Sequence, residues 1–188
     1  MTSQPQHNIA IVPIGSFDLE LIEIIINRIE HIFGFTGEII PLLNDLSFAL
    51  DPKRKQYHST PILESLAAKS PPSAAKILAL CHVDLFIPIL THVYGEAQIG
   101  GKACIVSTHR LNEGQSHLNL REPYLSRIVK EAVHELGHTF TLRHCKDPGC
   151  LMHYCRNEGD VDRKTDELCR YCSVLLRDEL KQIERWSD

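Results

Sequence analysis

Apolar positions recur along this chain with two different periods, and the switching between them outlines the fold. Asn8 to Ile14 is a short, nearly continuous apolar run, the pattern of a strand buried on both faces, and Gly15-Ser16 ends it. From Phe17 to Phe33 the period changes. Leu21, Ile25, Ile29 and Ile32 recur at helical spacing, with Ser16 or Asp18 as cap and Gly34 as the stop. Gly37 to Leu42 predicts a second strand. Thr60 to Lys69 predicts a short helix, broken by Ser70-Pro71-Pro72, and Ala75 to Leu80 a third strand that Val83 to Pro88 prolongs. Between them, Asn44 to Ser59 predicts an exposed connection with a turn at Asp51-Pro52 and a solvated basic triplet, Lys53-Arg54-Lys55. Leu90 to Ala97 and Lys102 to Ser107 flank Gln98-Ile99-Gly100-Gly101, the pattern of two strands joined by a tight return. A loop from Thr108 to Glu122 leads into a helix from Pro123 to about Thr141, with Leu125, Ile128, Val129, Ala132, Val133 and Leu136 on its apolar face. A last helix runs from Thr165 to Trp186. The early alternation of strand and helix predicts an α/β layer with the Pro123–Thr141 helix beneath the sheet.

Length and charge narrow the picture further. A chain of 188 residues is expected to form one domain, 1–188, burying about 70% of its unfolded surface. A net charge of -4 argues against a nucleic-acid partner, whose binding surface would be basic. Met1 to Gln6 is polar and no signal peptide follows it. Glu23 and Asn27 interrupt the richest apolar run before it reaches the roughly 18 residues of a membrane span. The expectation is a cytoplasmic protein with no membrane contact, and a monomer by default, since no hydrophobic seam stands out. Seven cysteines in such a compartment suggest metal ligands rather than disulfides.

The chemistry is concentrated near the end of the Pro123–Thr141 helix. His134-Glu135-Leu136-Gly137-His138 places two imidazoles four residues apart, on one helix face and about one turn from each other. Both can reach one ion, and Glu135 can hold a water against it and take its proton. This is the HExxH signature of zinc hydrolases. His144 is the candidate third ligand. At roughly 100° per residue, a continued helix would carry it away from the shared face, so the chain must leave the helix near Thr141. The extended pattern HExxHxxGxxH has glycine at that exit, where a left-handed turn is needed, and this chain has a β-branched threonine. Either Thr141 leaves the helix by another route or His144 binds less well.

A second constellation follows: Cys145, four residues, Cys150, eighteen residues, then Cys169-Arg170-Tyr171-Cys172. Four thiolates suit a closed tetrahedral zinc site, and a CxxC pair supplies two of them from one turn. Five of the seven cysteines, these four and Cys155, fall within 28 residues beside the histidine motif, which favours ligation over packing as small hydrophobes.

His134 to Cys145, then Cys150-Leu151-Met152, then Cys169 to Cys172 together resemble the archaemetzincin branch of the metzincin metallopeptidases. The likeness in motif spans about 40 residues, and the opening strand and helix extend it over most of the chain. Sixteen residues separate Met152 from Cys169, close to the family spacing. The resemblance implies a compact metzincin-like α/β domain with two zinc ions. One is catalytic, on His134, His138 and His144; the other is structural, on Cys145, Cys150, Cys169 and Cys172. It implies hydrolysis of a peptide or protein substrate, with Glu135 moving the proton of the attacking water, whether as endo- or aminopeptidase. Met152 falls at the family's methionine, an apolar floor under the histidines and not a ligand. Met152-His153-Tyr154 also resembles the Met-His-Tyr of astacins, which makes Tyr154 a candidate metal ligand or oxyanion donor, with a core tyrosine as the alternative. Metzincins hold peptides along an edge strand, and here Leu90 to Ala97, near Val93 to Gly95, is the candidate. A zinc protein of the same fold that binds peptides with little hydrolysis stays open as the other reading. His82, His92, His109 and His117 are expected to be surface or capping residues, and Cys155 is a spare thiol that an internal block of the catalytic zinc would need.

Overall fold

The computed structural model describes residues 8–111 and 121–186. In chain order the elements are β1 (Asn8–Pro13), α1 (Leu19–Phe33), β2 (Thr36–Ile39), a 3-10 turn (Ser47–Ala49), β3 (Leu50–Asp51), β4 (Gln56–His58) and α2 (Ser59–Ala68). Then follow β5 (Ala74–Cys81), β6 (Leu85–Phe86), β7 (Gly95–Ala97), β8 (Ala103–Ser107), α3 (Arg121–Thr139), α4 (Glu158–Arg163) and α5 (Arg170–Trp186). The main sheet has the order β2-β1-β5-β8-β7; all its pairs are parallel except the last, where β7 runs antiparallel to β8 along one edge.

Side chains alternate across this sheet and divide the core in two. Ile9 and Ile11, Leu78 and Leu80, Cys104 and Val106 face the layer containing α1 and α3. Their neighbours Ala10 and Val12, Ile77 and Ala79, Ala103 and Ile105 face α2 with its Ile62, Leu63 and Leu66. Strands covered on both faces read as unbroken apolar runs, which is why β1 and β5 were legible as such. The α/β architecture with a mixed sheet and the long helix against one face is therefore the one expected.

Local signals held at α1. Asp18 accepts from the Glu20 N–H at 3.1 Å, and Gly34 closes the helix at φ 75°, its N–H donating to Glu30 O at 3.0 Å. Elsewhere the boundaries moved. The segment 44–59 is not an exposed connection: Leu46, Ala49, Gln56 and Ser59 are buried, and β3, β4 and β6 make a small second sheet. The basic triplet Lys53-Arg54-Lys55 is exposed as expected, and within it Arg54 lies 4.0 Å over the Phe86 ring and donates to Leu90 O and Thr91 O. The chain turns at 88–91, and only Gly95–Ala97 of the expected strand pairs with β8, while Val93 bridges to Leu85. The last helix starts at Arg170 rather than Thr165. The residues before it are held by the Thr165 N–H donating to Gly149 O at 3.0 Å, and α4, capped by Asn157, precedes them. Most of the expected loop Thr108 to Glu122, including His117, lies outside the described residues. Among the described residues, no helix is long and apolar enough to cross a membrane.

Candidate metal centre

Helix α3 is buried from Arg127 onward apart from Lys130, which is unusual for a helix with so many polar residues. Its last turn explains how His144 returns to the histidine face. Thr141 takes the left-handed conformation itself, at φ 64°. The Thr141 N–H donates to His138 O at 3.1 Å and the Leu142 N–H to Gly137 O at 3.2 Å, the two reversed bonds of a Schellman cap. The other end-carbonyls are taken too: Thr139 O by Lys76 Nζ at 2.7 Å, and Leu136 O by the Thr139 hydroxyl at 2.7 Å. The Thr141 side chain is held from outside, its hydroxyl donating to Glu179 of α5 at 3.1 Å. Threonine thus makes the turn expected of glycine, which neither sequence expectation had allowed.

The nitrogen atoms of His134, His138 and His144 lie within 4.8 Å of one another. His134 Nδ1 donates to Leu151 O at 2.9 Å and His138 Nδ1 to Leu142 O at 2.7 Å, so both Nε2 atoms carry lone pairs. Those two Nε2 atoms face each other at 3.2 Å. Two lone pairs at that distance repel, and a cation between them turns the repulsion into ligation. Neighbouring nitrogens on tetrahedral zinc stand about 3.4 Å apart, so the donor set fits zinc. Burial lowers the pKa of all three histidines, that of His144 to about 4, with nearby positive charge adding to the effect. Neutral imidazoles are what a metal needs.

Glu135 is buried at the same place. Burial, then the carboxylate of Glu131, raises its pKa well above the usual range. Its stem runs under β7 so closely that a Cβ on Gly95 would sit 2.6 Å from Glu135 Cγ and 2.7 Å from Ile105 O. A cleft of about 680 Å³ opens here, between the Val93–Ala97 segment on one side and Arg143, His144 and Tyr154 on the other.

Behind the histidines lies a pair that the sequence reading missed. Lys164, from the end of α4, has no exposed side-chain surface, and its Nζ donates to Glu131 Oε1 at 2.7 Å, itself 5% exposed. The same Nζ lies 3.5 Å from His134 Nδ1. The one available signal was Glu131's place on the helix stripe, three residues before His134 and seven before His138.

The four cysteines also converge, with all Sγ atoms within 4.8 Å and Cys145 and Cys169 sulfurs at 3.8 Å. Sulfurs on tetrahedral zinc are about 3.8 Å apart. Burial first, then the neighbouring thiols, holds Cys172 far above the thiol range, because four sulfurs so close cannot all carry charge without a cation among them. The Cys169 N–H donates to Cys150 Sγ at 3.3 Å. Both sets grow from one stretch of chain, since Cys145 follows His144 directly.

Met152 is fully buried beneath the motif, and a Cβ on Gly137 would lie 2.7 Å from its sulfur. Glycine inside the HExxH helix is thus explained by close packing. Tyr154 is 46% exposed, with its ring 5.0 Å from that of His144. Cys155 does not join the histidine set; its thiol donates to His153 O at 3.6 Å. His82 is tied to Ser16 O and Thr108 and stacks on Phe17, a structural role.

A helix carrying neutral histidines and a buried carboxylate under the edge of a mixed sheet defines a zinc metallopeptidase, and comparison with known proteins agrees. Residues 73–178 match the family model of peptidase family M54, and the chain belongs to that family. The archaemetzincin of Archaeoglobus fulgidus is 33% identical over 162 residues, covering 86% of this chain and 94% of the relative. That of Methanopyrus kandleri is 34% identical over 168 residues, covering 87% and 93%. The crystal structure of the Methanopyrus kandleri archaemetzincin matches with a TM-score of 0.80 at 29% identity, over 96% of this chain and 99% of that one. A zinc-dependent peptidase from Methanocorpusculum labreanum matches at 0.75 with 28% identity, over 90% and 100%.

Proposed function

We propose that the chain cleaves peptide bonds as a metzincin-type peptidase, a single cytoplasmic domain over 1–188 that works as a monomer. In this reading His134, His138 and His144 hold a catalytic zinc, and Cys145, Cys150, Cys169 and Cys172 hold a structural one. The observation that carries it is the facing pair of Nε2 lone pairs at 3.2 Å with a buried carboxylate beside them, open to a cleft. Zinc bound there would polarise the scissile carbonyl and acidify the attacking water.

Glu135 takes the water's proton and passes it to the leaving amine nitrogen. Its raised pKa suits a group that must both accept and release that proton. The substrate backbone pairs with the outer edge of β7 as an added strand. Val93 already donates its N–H to Leu85 O at 2.9 Å, so the pairing segment is moved from Val93–Gly95 toward Gly95–Ala97. Tyr154, against the His144 ring, donates to the developing oxyanion. Met152 fills the space under the histidines and keeps water from their lower side. None of the seven cysteines is paired in a disulfide, which leaves the four of the cluster available as zinc ligands.

The test is hydrolysis of a peptide library with zinc content counted on the same samples. Glu135→Gln is expected to keep its zinc and lose about 10²–10⁴ in rate. Retained turnover in the zinc-loaded variant removes Glu135 from the chemistry. Tyr154→Phe is expected to lower kcat about tenfold or more with little change in KM, since a transition-state donor leaves ground-state binding alone. An unchanged kcat discards that role.

A further inference from the structure

The face of α3 that carries the histidines carries two buried carboxylates, not one. Glu131 and Glu135 lie one turn apart, are 4% and 7% exposed, and both line the cleft beside His134 and His138. A dication placed among these histidines would feel both. Only Glu131 has a fixed cation, the Lys164 ammonium at 2.7 Å, and that ammonium comes from a different element with no exposed surface of its own. Even a well-paired buried ion pair is often no more stabilising than apolar residues of the same volume, so the arrangement calls for a reason beyond stability.

We propose that Lys164 is a positioning residue for the first metal site: it neutralises and ties back Glu131, so that Glu135 is the one uncompensated carboxylate that α3 turns toward the ion. The two charges of the pair act in opposite senses at the site. Glu131 lines the cleft with Glu135 and His138, and the ammonium that pairs with it lies 3.5 Å from His134 Nδ1, so both charges stand beside the ligands. Remove the lysine alone and an extra negative charge faces the ion, which then binds tighter while the competing carboxylate disturbs the water that Glu135 must hold. Remove the glutamate alone and a bare ammonium faces the ion, which then binds more weakly.

This inference rests on the three-histidine metal reading, and the experiment separates the two. Cobalt(II) titration of the full chain, with chelator competition, reads each site by its spectrum, because thiolate ligation adds a near-ultraviolet charge-transfer band that imidazole ligation lacks. Lys164→Met is expected to bind metal at the histidine site about tenfold tighter, Glu131→Gln about tenfold weaker, and the double variant near the unsubstituted protein. Peptide hydrolysis should fall in Lys164→Met and return in the double variant. A role in packing alone would weaken metal binding in both single variants and most in the double, and that outcome overturns the proposal. If Lys164→Met does not fold, the Glu131→Gln and double variants still decide it, since only a charge effect makes the double bind more tightly than Glu131→Gln. An unsubstituted protein without any imidazole-type cobalt spectrum overturns the metal reading beneath it.

Discussion

Two clusters of donor atoms sit side by side in this protein, joined through the peptide bond between His144 and Cys145, and they are built in opposite ways. The histidine set takes two of its members from a rigid buried helix and leaves one side open, where His144 is exposed and the cleft begins. The cysteine set draws on a loop, a short turn and the start of α5, and it encloses itself with four sulfurs. Open coordination leaves room for a water and a carbonyl; closed coordination leaves room for neither. In the proposed reading this difference divides the labour: the helix provides geometry for chemistry, and the sulfurs secure the chain that delivers the third histidine.

The strongest way to break that division is to remove a sulfur. Cys172→Ser is expected to cost one zinc per chain and lower Tm by on the order of 10 °C, because a structural metal contributes its binding free energy to folding. His144 should lose its place with it, so hydrolysis falls as well. His144→Ala takes a donor from the open set, one residue before Cys145, and it should cost activity with a much smaller fall in Tm. Thermal unfolding with zinc counted in both variants checks this. Equal falls in Tm would mean that the two clusters are not divided in this way.

A methyl group sharpens the same contrast at a smaller scale. On Gly95 it would meet Glu135 Cγ at 2.6 Å and Ile105 O at 2.7 Å, and a backbone oxygen in a paired strand cannot swing aside. Gly95→Ala is expected to cost about 1–3 kcal/mol and to displace the carboxylate, lowering kcat more than zinc content. Gly149 lies in the loop of the sulfur set, where the added atom meets only Asp147 Oδ1 at 3.5 Å. Gly149→Ala should therefore shift stability by less than about 0.5 kcal/mol, read by denaturant unfolding of the pair.

What could be read from the chain follows the same line between regular and irregular structure. Periodicity identifies β1, α1, β5 and α3, because their burial is set by position along a single element. Ligand spacing picks out the residues that the structure brings into the two clusters, because each cluster needs only a helix turn, a CxxC turn and a return of the chain. The misses are contacts between elements far apart in sequence. Arg54 is exposed, as its basic neighbours suggest, but nothing local announces the Phe86 ring or the carbonyls of Leu90 and Thr91 that it meets. Lys164 sits in a polar run, and only the folded chain brings it to Glu131, 33 residues earlier. Gly95 shows no turn signal, since what demands glycine there is a side chain from α3.

The finest test of the comparison lies at the exit turn that links the two clusters. Thr141 holds φ 64°, where a β-branched residue is strained by about 1–2 kcal/mol. Two contacts oppose that strain. The hydroxyl donates to Glu179 at 3.1 Å, an exposed bond of small net value, and its methyl packs over Gly100. Glycine would release the strain but give the unfolded chain more freedom, a loss of about 0.4–1 kcal/mol. Thr141→Gly is therefore expected to gain about 0.5–1 kcal/mol, or 1–4 °C in Tm, with zinc binding at the histidine site unchanged. Thr141→Val keeps the strain and loses the hydroxyl, so it should fall slightly below the parent. If glycine instead lowers Tm, the bridge to α5 matters more than backbone strain. The last helix, which carries Cys172 and begins directly after Cys169, would then also hold the turn that aims His144.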